Sequence, residues 1–234
     1  FTTIGGKPVA AEPRKITPLI KIPFVLVTTL AAGAILICFA VVLAASFYKI
    51  LGVTDRFVLS NYLDFTSNQA IYNSIRVSLV AAVIGAVIGV LLAYVIVRGK
   101  FFGRSFIEMA SLSGFALPGT VLGIGYLLAF SAPPLKLTGG IMILALNCVF
   151  RFLAVGVEAG ISKLHQIHVE IEEASADLGA SFLTTFFRIV LPIMFPAFIA
   201  GFIYTFMTAI VSLSAVVFLV SPGFQLAAVK IFDA

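Results

Sequence analysis

The residues with the clearest capacity for chemistry lie between His165 and Pro192. Glu170, Glu172, Glu173 and Asp177 supply carboxylates, Ala174, Ser175, Ala176 and Ala180 supply small side chains, and Gly179 interrupts the run. Carboxylates beside small side chains suit the docking of another protein, whose surface can approach closely and find charge to pair with. Catalysis is a poorer fit. His165 and His168 with Glu172 have spacing that could hold a metal, but a fourth ligand is lacking and solvated loop histidines are the better reading. No GxxxxGK[ST] phosphate cradle occurs, because Gly5-Gly6-Lys7-Pro8 lacks both the spacing and the hydroxyl residue, and HExxH and GxSxG are also missing. The sequence therefore points to no catalytic residue, no cofactor and no ATP hydrolysis by this chain alone.

The elements that position these residues are set by composition. Hydrophobic residues make up 61% of the 234 residues, charged residues 11%, and the mean hydropathy is +1.17. A soluble domain is about half apolar and about a quarter charged. Lipid must therefore be part of the solvent, which makes this an all-α, polytopic membrane protein. Cys38 and Cys148 sit in apolar runs and read as small hydrophobes. The net charge of +5 reflects basic residues flanking apolar spans, a topology signal and no indication of nucleic acid.

Five segments are long enough to span: about 23–48, 74–97, 106–130, 137–157 and 196–220. Residues 1–22 read as a cytoplasmic lead-in or linker and 23–234 as one transmembrane domain, with a sixth span expected beyond the end. Lys7, Arg14, Lys15 and Lys21 precede the first span, Arg98, Lys100 and Arg104 follow the second, and Lys163 and Arg188 lie between the fourth and the fifth. The positive-inside rule places all three segments in the cytoplasm. Arg104 and Glu108, one turn apart, predict a boundary ion pair, and Arg151 is expected to snorkel from a span end. Gly85 and Gly89, extended by Ala81 and Ala93, predict close helix packing in the second span. In the third span Pro118, Gly119, Gly123 and Gly125 predict a disturbed helix, either broken to line a solute route or kinked for packing.

Within the interlude, Ile171, Ala174, Ser175 and Leu178 fall on one helix face, and Gly179 ends that helix in a left-handed turn. Ser181 caps a second helix, which Pro192 and Pro196 are expected to stop before the fifth span begins. The tip should be exposed, with its small side chains available to a partner. An amphipathic helix resting on lipid would be basic on its polar face, and this one is acidic.

Glu173-Ala174-Ser175, three residues, Gly179, nine residues and Ile189-Val190-Leu191-Pro192 resembles the EAA loop of binding-protein-dependent ABC transporter permeases, with Ser175 in place of the second alanine. The stretches "ALPGTVLGIGYLLAF", "FRFLAVGVEAGISKL" and "SAVVFLVSPGFQLAAVKIFDA" are similar to the ferric-iron type, in which two permease halves are often fused; this chain looks like a second half. The resemblance implies that segment 165–192 is a coupling loop, with Glu173, Ala174, Ser175 and Gly179 docking on a cytoplasmic ABC ATPase dimer. Ile189, Leu191 and Pro192 would tie the loop to the fifth span. Pro118, Gly119, Gly123 and Gly125 become candidates for the translocation route. The implied partners are that ATPase, a periplasmic solute-binding protein, a second permease half and membrane lipid of the bacterial inner membrane. Phosphonate, thiamine, sulfate or polyamine permeases share much of the pattern, so the cargo stays open beside ferric iron. A self-gated channel or a haem- or quinone-holding anchor is the competing class, and the latter would need paired histidines inside the spans.

Overall fold

The computed structural model describes residues 17–49, 56–63, 65–221 and 223–233. These fall into two units that divide between Leu63 and Phe65. The expected lead-in lies outside the described residues up to position 16. Among the described residues all regular structure is helical, apart from isolated bridges Tyr48–Phe57 and Ser221–Phe224.

The first unit is built on α1 (Pro18–Ser46), which is 29 residues long and buries none of them. It starts before the expected Pro23 because Pro18 fits the first turn, where its missing N–H is no loss. A helix apolar on all sides needs lipid or another chain around it. A short α2 (Ser60–Leu63) folds back on its end. There Phe47 stacks on Phe57 with centroids 5.2 Å apart, and the Asn61 amide donates to the carbonyls of Ser46 and Tyr48 at 3.1 and 3.0 Å.

The second unit holds α3 (Phe65–Arg98), α4 (Arg104–Ala116), α5 (Gly119–Phe130), α6 (Ile141–His165), α7 (Glu170–Asp177), a long α8 (Phe182–Ile210) and α9 (Ala227–Phe232). Its centre is the packing of α3, α6 and α8. At Gly89 an added Cβ would lie 3.1 Å from the Gly156 carbonyl carbon, and at Gly201 it would lie 2.9 Å from Gly156 Cα. Three backbones therefore meet at one level, as the GxxxG spacing of α3 predicts. Ala81 and Ala93 are fully buried in the same seam, whereas Gly85 makes only ordinary contact with Thr205.

Several expected boundaries are corrected. Helix α3 begins nine residues before Ser74, so "FTSNQAIYN" is helix and not loop. The side chains of Asn73 and Ser74 hold the chain near its end: the Asn73 amide donates to the Gln225 carbonyl, and Ala227 N–H donates to Ser74 Oγ at 2.8 Å. Helix α6 continues to His165 instead of stopping near 157, which leaves Arg151 in mid-helix. The expected stop at Pro192 does not occur. Residues 182–210 form one helix, with a π turn at Phe186–Val190 closed by the Leu191 N–H on the Phe186 carbonyl. That extra residue per turn makes room for the Pro192 ring and absorbs its missing hydrogen bond. The helix that carries the fifth candidate span is therefore 182–210, and the expected 196–220 is not one helix. Between Ile210 and α9 the described chain is irregular except for a 3-10 turn at Val216–Phe218.

The third span is broken. α4 and α5 meet at an angle of 109°. The hinge is Leu117-Pro118, where Leu117 is extended (φ −83°, ψ 139°), as a residue before proline must tend to be.

Candidate functional site

Two constellations stand out. The first is the helix–turn–helix formed by α7 and the start of α8. Glu170, Glu172 and Glu173 fill the first turn of α7, where the helix dipole favours negative charge. Gly179 ends it at φ +83°, with Gly179 N–H on the Ala176 carbonyl and Ala180 N–H on the Ser175 carbonyl. This pair of bonds is the Schellman arrangement, and it uses the left-handed conformation that glycine alone adopts freely. Ser181 Oγ accepts from the Thr184 N–H at 3.3 Å and caps α8 as expected.

The seat of this element is made of residues whose roles sequence reasoning missed. Arg98, at the end of α3, donates Nε–H to Glu172 Oε1 at 2.8 Å and Nη2–H to the Ile167 carbonyl at 3.0 Å. Tyr94 donates its hydroxyl to the other Glu172 oxygen at 2.9 Å and packs edge-on against Phe186. Ser175, expected at the exposed tip, is instead buried against α8, where its hydroxyl and that of Thr185 lie 2.9 Å apart. Glu172 and Ser175 thus fix α7, and the rest of it faces outward. Glu173, Ala174 and Gly179 are exposed, and Leu178 is 89% exposed. Pro192 is exposed, whereas Ile189 and Leu191 are half-buried where α8 leaves the tip. His168 lies 3.7 Å from Glu170 on the surface, and Glu172 is taken up by Arg98 and Tyr94 instead of the histidines.

The second constellation surrounds the hinge. Arg151 does not snorkel from a span end. Its Nη1 donates to Ser214 Oγ at 3.0 Å and lies 3.5 Å from Ser212 Oγ, in the irregular segment after α8. A side chain on Gly119 would overlap both the Arg151 guanidinium and the Ser214 hydroxyl, and one on Gly123 would strike the Ala215 carbonyl. Gly125 has open space around it. Gly119 and Gly123, just beyond Pro118, therefore lie against Arg151 and residues 214–215, whereas Gly125 does not. Arg104 and Glu108 form no ion pair among the described residues.

A polar row runs along α6. Asn147, Arg151, Glu158 and Ser162 recur at helical spacing and share one face about 22 Å long. Asn147 is 1% exposed and both its side-chain polar atoms lack a partner. Composition obscured this row because Glu158 and Lys163 lower the local hydropathy and make the span look shorter than it is.

A bundle of membrane-length helices with an acidic helix–turn–helix clamped to one end describes an all-α, multi-pass membrane protein. No family model matches the chain. Individual relatives do. It is 34% identical over 189 residues to a ferric transport system permease of Actinobacillus pleuropneumoniae, an alignment covering 78% of this chain and 28% of the relative. It is 27% identical over 205 residues to the sulfate transport system permease CysT of Salmonella typhimurium, covering 82% and 74%. It is 30% identical over 161 residues to the putrescine transport system permease PotI of Escherichia coli, covering 66% and 57%. These relatives are all permeases of binding-protein-dependent ABC transport systems, and the chain is similar to them over about two thirds or more of its own length. It spans about 28% of the length of the ferric permease it matches, and its relatives are transport subunits and not enzymes.

Proposed function

We propose that this chain is part of the membrane permease of an ATP-driven importer, and that α7 with its Gly179 turn is the element gripped by a separate cytoplasmic ATPase. The observation that carries this reading is the contrast within α7. Glu172 and Ser175 are committed to internal bonds, while Glu173, Ala174, Leu178 and Gly179 remain outward. A docking helix needs both properties, a stiff seat to transmit force and a free face to receive it. ATP binding would close the ATPase dimer and move α7, and through α8 the spans would switch from outward to inward opening. Solute would be delivered from outside by a binding protein. Ferric iron is the cargo named for relatives at 34% identity, and we take it as the first cargo to assay, with sulfate and putrescine as the alternatives named for others.

The test is capture of the full-length polypeptide from gently solubilised membranes. We expect a P-loop ATPase to accompany it and to be lost with Glu173→Lys plus Gly179→Val, while membrane insertion is unchanged. A β-branched residue at Gly179 meets no neighbour but must hold a left-handed backbone, at about 1–2 kcal/mol. Normal insertion with no ATPase under any nucleotide condition would remove the coupling role and make a self-gated channel or a membrane anchor the working reading.

A further inference from the structure

We propose that Arg151, with the Ser212 and Ser214 hydroxyls and the amino end of α5, forms a binding station for a small oxyanion at the hinge of the broken span. The first ground is charge. Arg151 lies in the middle of a membrane-length helix, where an ionised side chain is costly and marks a functional position unless it is paired. Neither ion pair among the described residues involves Arg151, and neither Glu108 on the adjoining α4 nor Glu158 on α6 itself is joined to it. Its close partners are two neutral hydroxyls and the Phe152 ring at 5.3 Å. A guanidinium has five N–H donors in a planar fork, so most of its capacity is unspent.

The second ground is convergence. The first backbone bond of α5 runs from the Leu122 N–H to the Pro118 carbonyl, so the N–H groups of Gly119, Thr120 and Val121 precede it and have no partner within the helix. Gly119 lies so close to Arg151 and Ser214 that no side chain fits there. Donors from α5, α6 and segment 212–214 are thus brought to one place, and a helix amino end adds partial positive charge. The third ground is Asn147, one turn before Arg151 on the same face of α6, buried with its amide wholly unpartnered. A tetrahedral or carboxylate oxyanion supplies several acceptors and the missing negative charge. The same positive charge opposes a bare cation, so any metal passing this station would travel as an anionic complex.

The station rests on the permease reading only for its place on a solute route; binding can be measured without transport or ATPase. The full-length polypeptide in lipid nanodiscs is titrated with radiolabelled sulfate. We expect saturable binding that unlabelled phosphate displaces and putrescine does not. Arg151→Lys should weaken it about tenfold, because a point charge replaces the bidentate fork. Arg151→Gln should abolish it, and Ser214→Ala should weaken it several-fold. Ser214→Ala keeps the guanidinium and so serves if the arginine variants do not fold. Absence of saturable sulfate and phosphate binding in the original protein overturns the proposal, as does binding that Ser214→Ala and every folded Arg151 variant leave undiminished. Capture of an ATPase through α7 is read independently, so failure here leaves the coupling reading standing.

Discussion

At the scale of single residues, the Arg98–Glu172 pair decides whether α7 is a stiff arm or a loose flap. Both side chains are largely removed from water, at 16% and 14% exposure, and both Glu172 oxygens are used. Charge-assisted hydrogen bonds in such a setting contribute about 1.5–3 kcal/mol, more than an exposed ion pair would. Arg98→Ala removes the bonds to Glu172 and to the Ile167 carbonyl together. Amide hydrogen exchange across Glu170–Leu178 should then quicken by about tenfold or more, while exchange in the α3–α6–α8 seam stays unchanged. Unaltered exchange in α7 would mean that its position is held by apolar packing of Ile167 and Phe186 instead. Ser175→Ala is the milder test. It deletes the hydroxyl facing Thr185 in a buried setting and should lower stability by about 1 kcal/mol, read as a fall in melting temperature.

At the scale of elements, the hinge and the π turn are two answers to the same problem, proline within a membrane helix. At Pro118 the helix breaks, and the glycines beyond it let α5 press on α6 and segment 212–215. Gly119→Val should therefore destabilise the protein by about 1–3 kcal/mol, since its side chain must displace Arg151 or Ser214. Gly125→Ala should cost nothing and raise stability by about 0.5–1 kcal/mol, since nothing lies within 4 Å and alanine restricts the unfolded backbone more than glycine does. Equal losses at both positions would show that the close approach at Gly119 is not what sets the cost of a side chain in this span. Signals that act over a few residues were legible in the sequence: the Gly179 turn, the Ser181 cap and a disturbance of the helix at Pro118, with break and kink left open there. The proline stop at 192 was misread because a π turn, invisible to local rules, absorbs it. Arg151 and Arg98 were misread for a different reason. Their partners lie 63 and 74 positions away, and no periodicity within one helix reports such a contact.

At the scale of the whole transmembrane unit, internal contacts decide how often the chain crosses. The end of α3 meets α7, just beyond α6, through Arg98 and Glu172, so the carboxyl ends of α3 and α6 lie together. Their amino ends are joined through the 221–227 segment: Ser221 Oγ donates to the Gly139 carbonyl, while Ser74 on α3 accepts from Ala227. α3 and α6 are therefore parallel. The chain between them must return to the starting side, and only α4 and α5 can carry it, so the bent pair is a crossing and not a re-entrant loop. This argument makes a prediction that needs no transport assay. Phe102, between α3 and α4, and Leu178, at the tip of α7, are both highly exposed, at 106% and 89%. With Cys38 and Cys148 replaced by alanine, Phe102→Cys and Leu178→Cys should react with a membrane-impermeant maleimide from the same face. The positive charge of Arg98, Lys100 and Arg104 leads us to expect the cytoplasmic face, in which case labelling should require opened cells. Labelling of the two cysteines from opposite faces would make α4–α5 re-entrant and would place α7 beyond the reach of an ATPase on the Phe102 side.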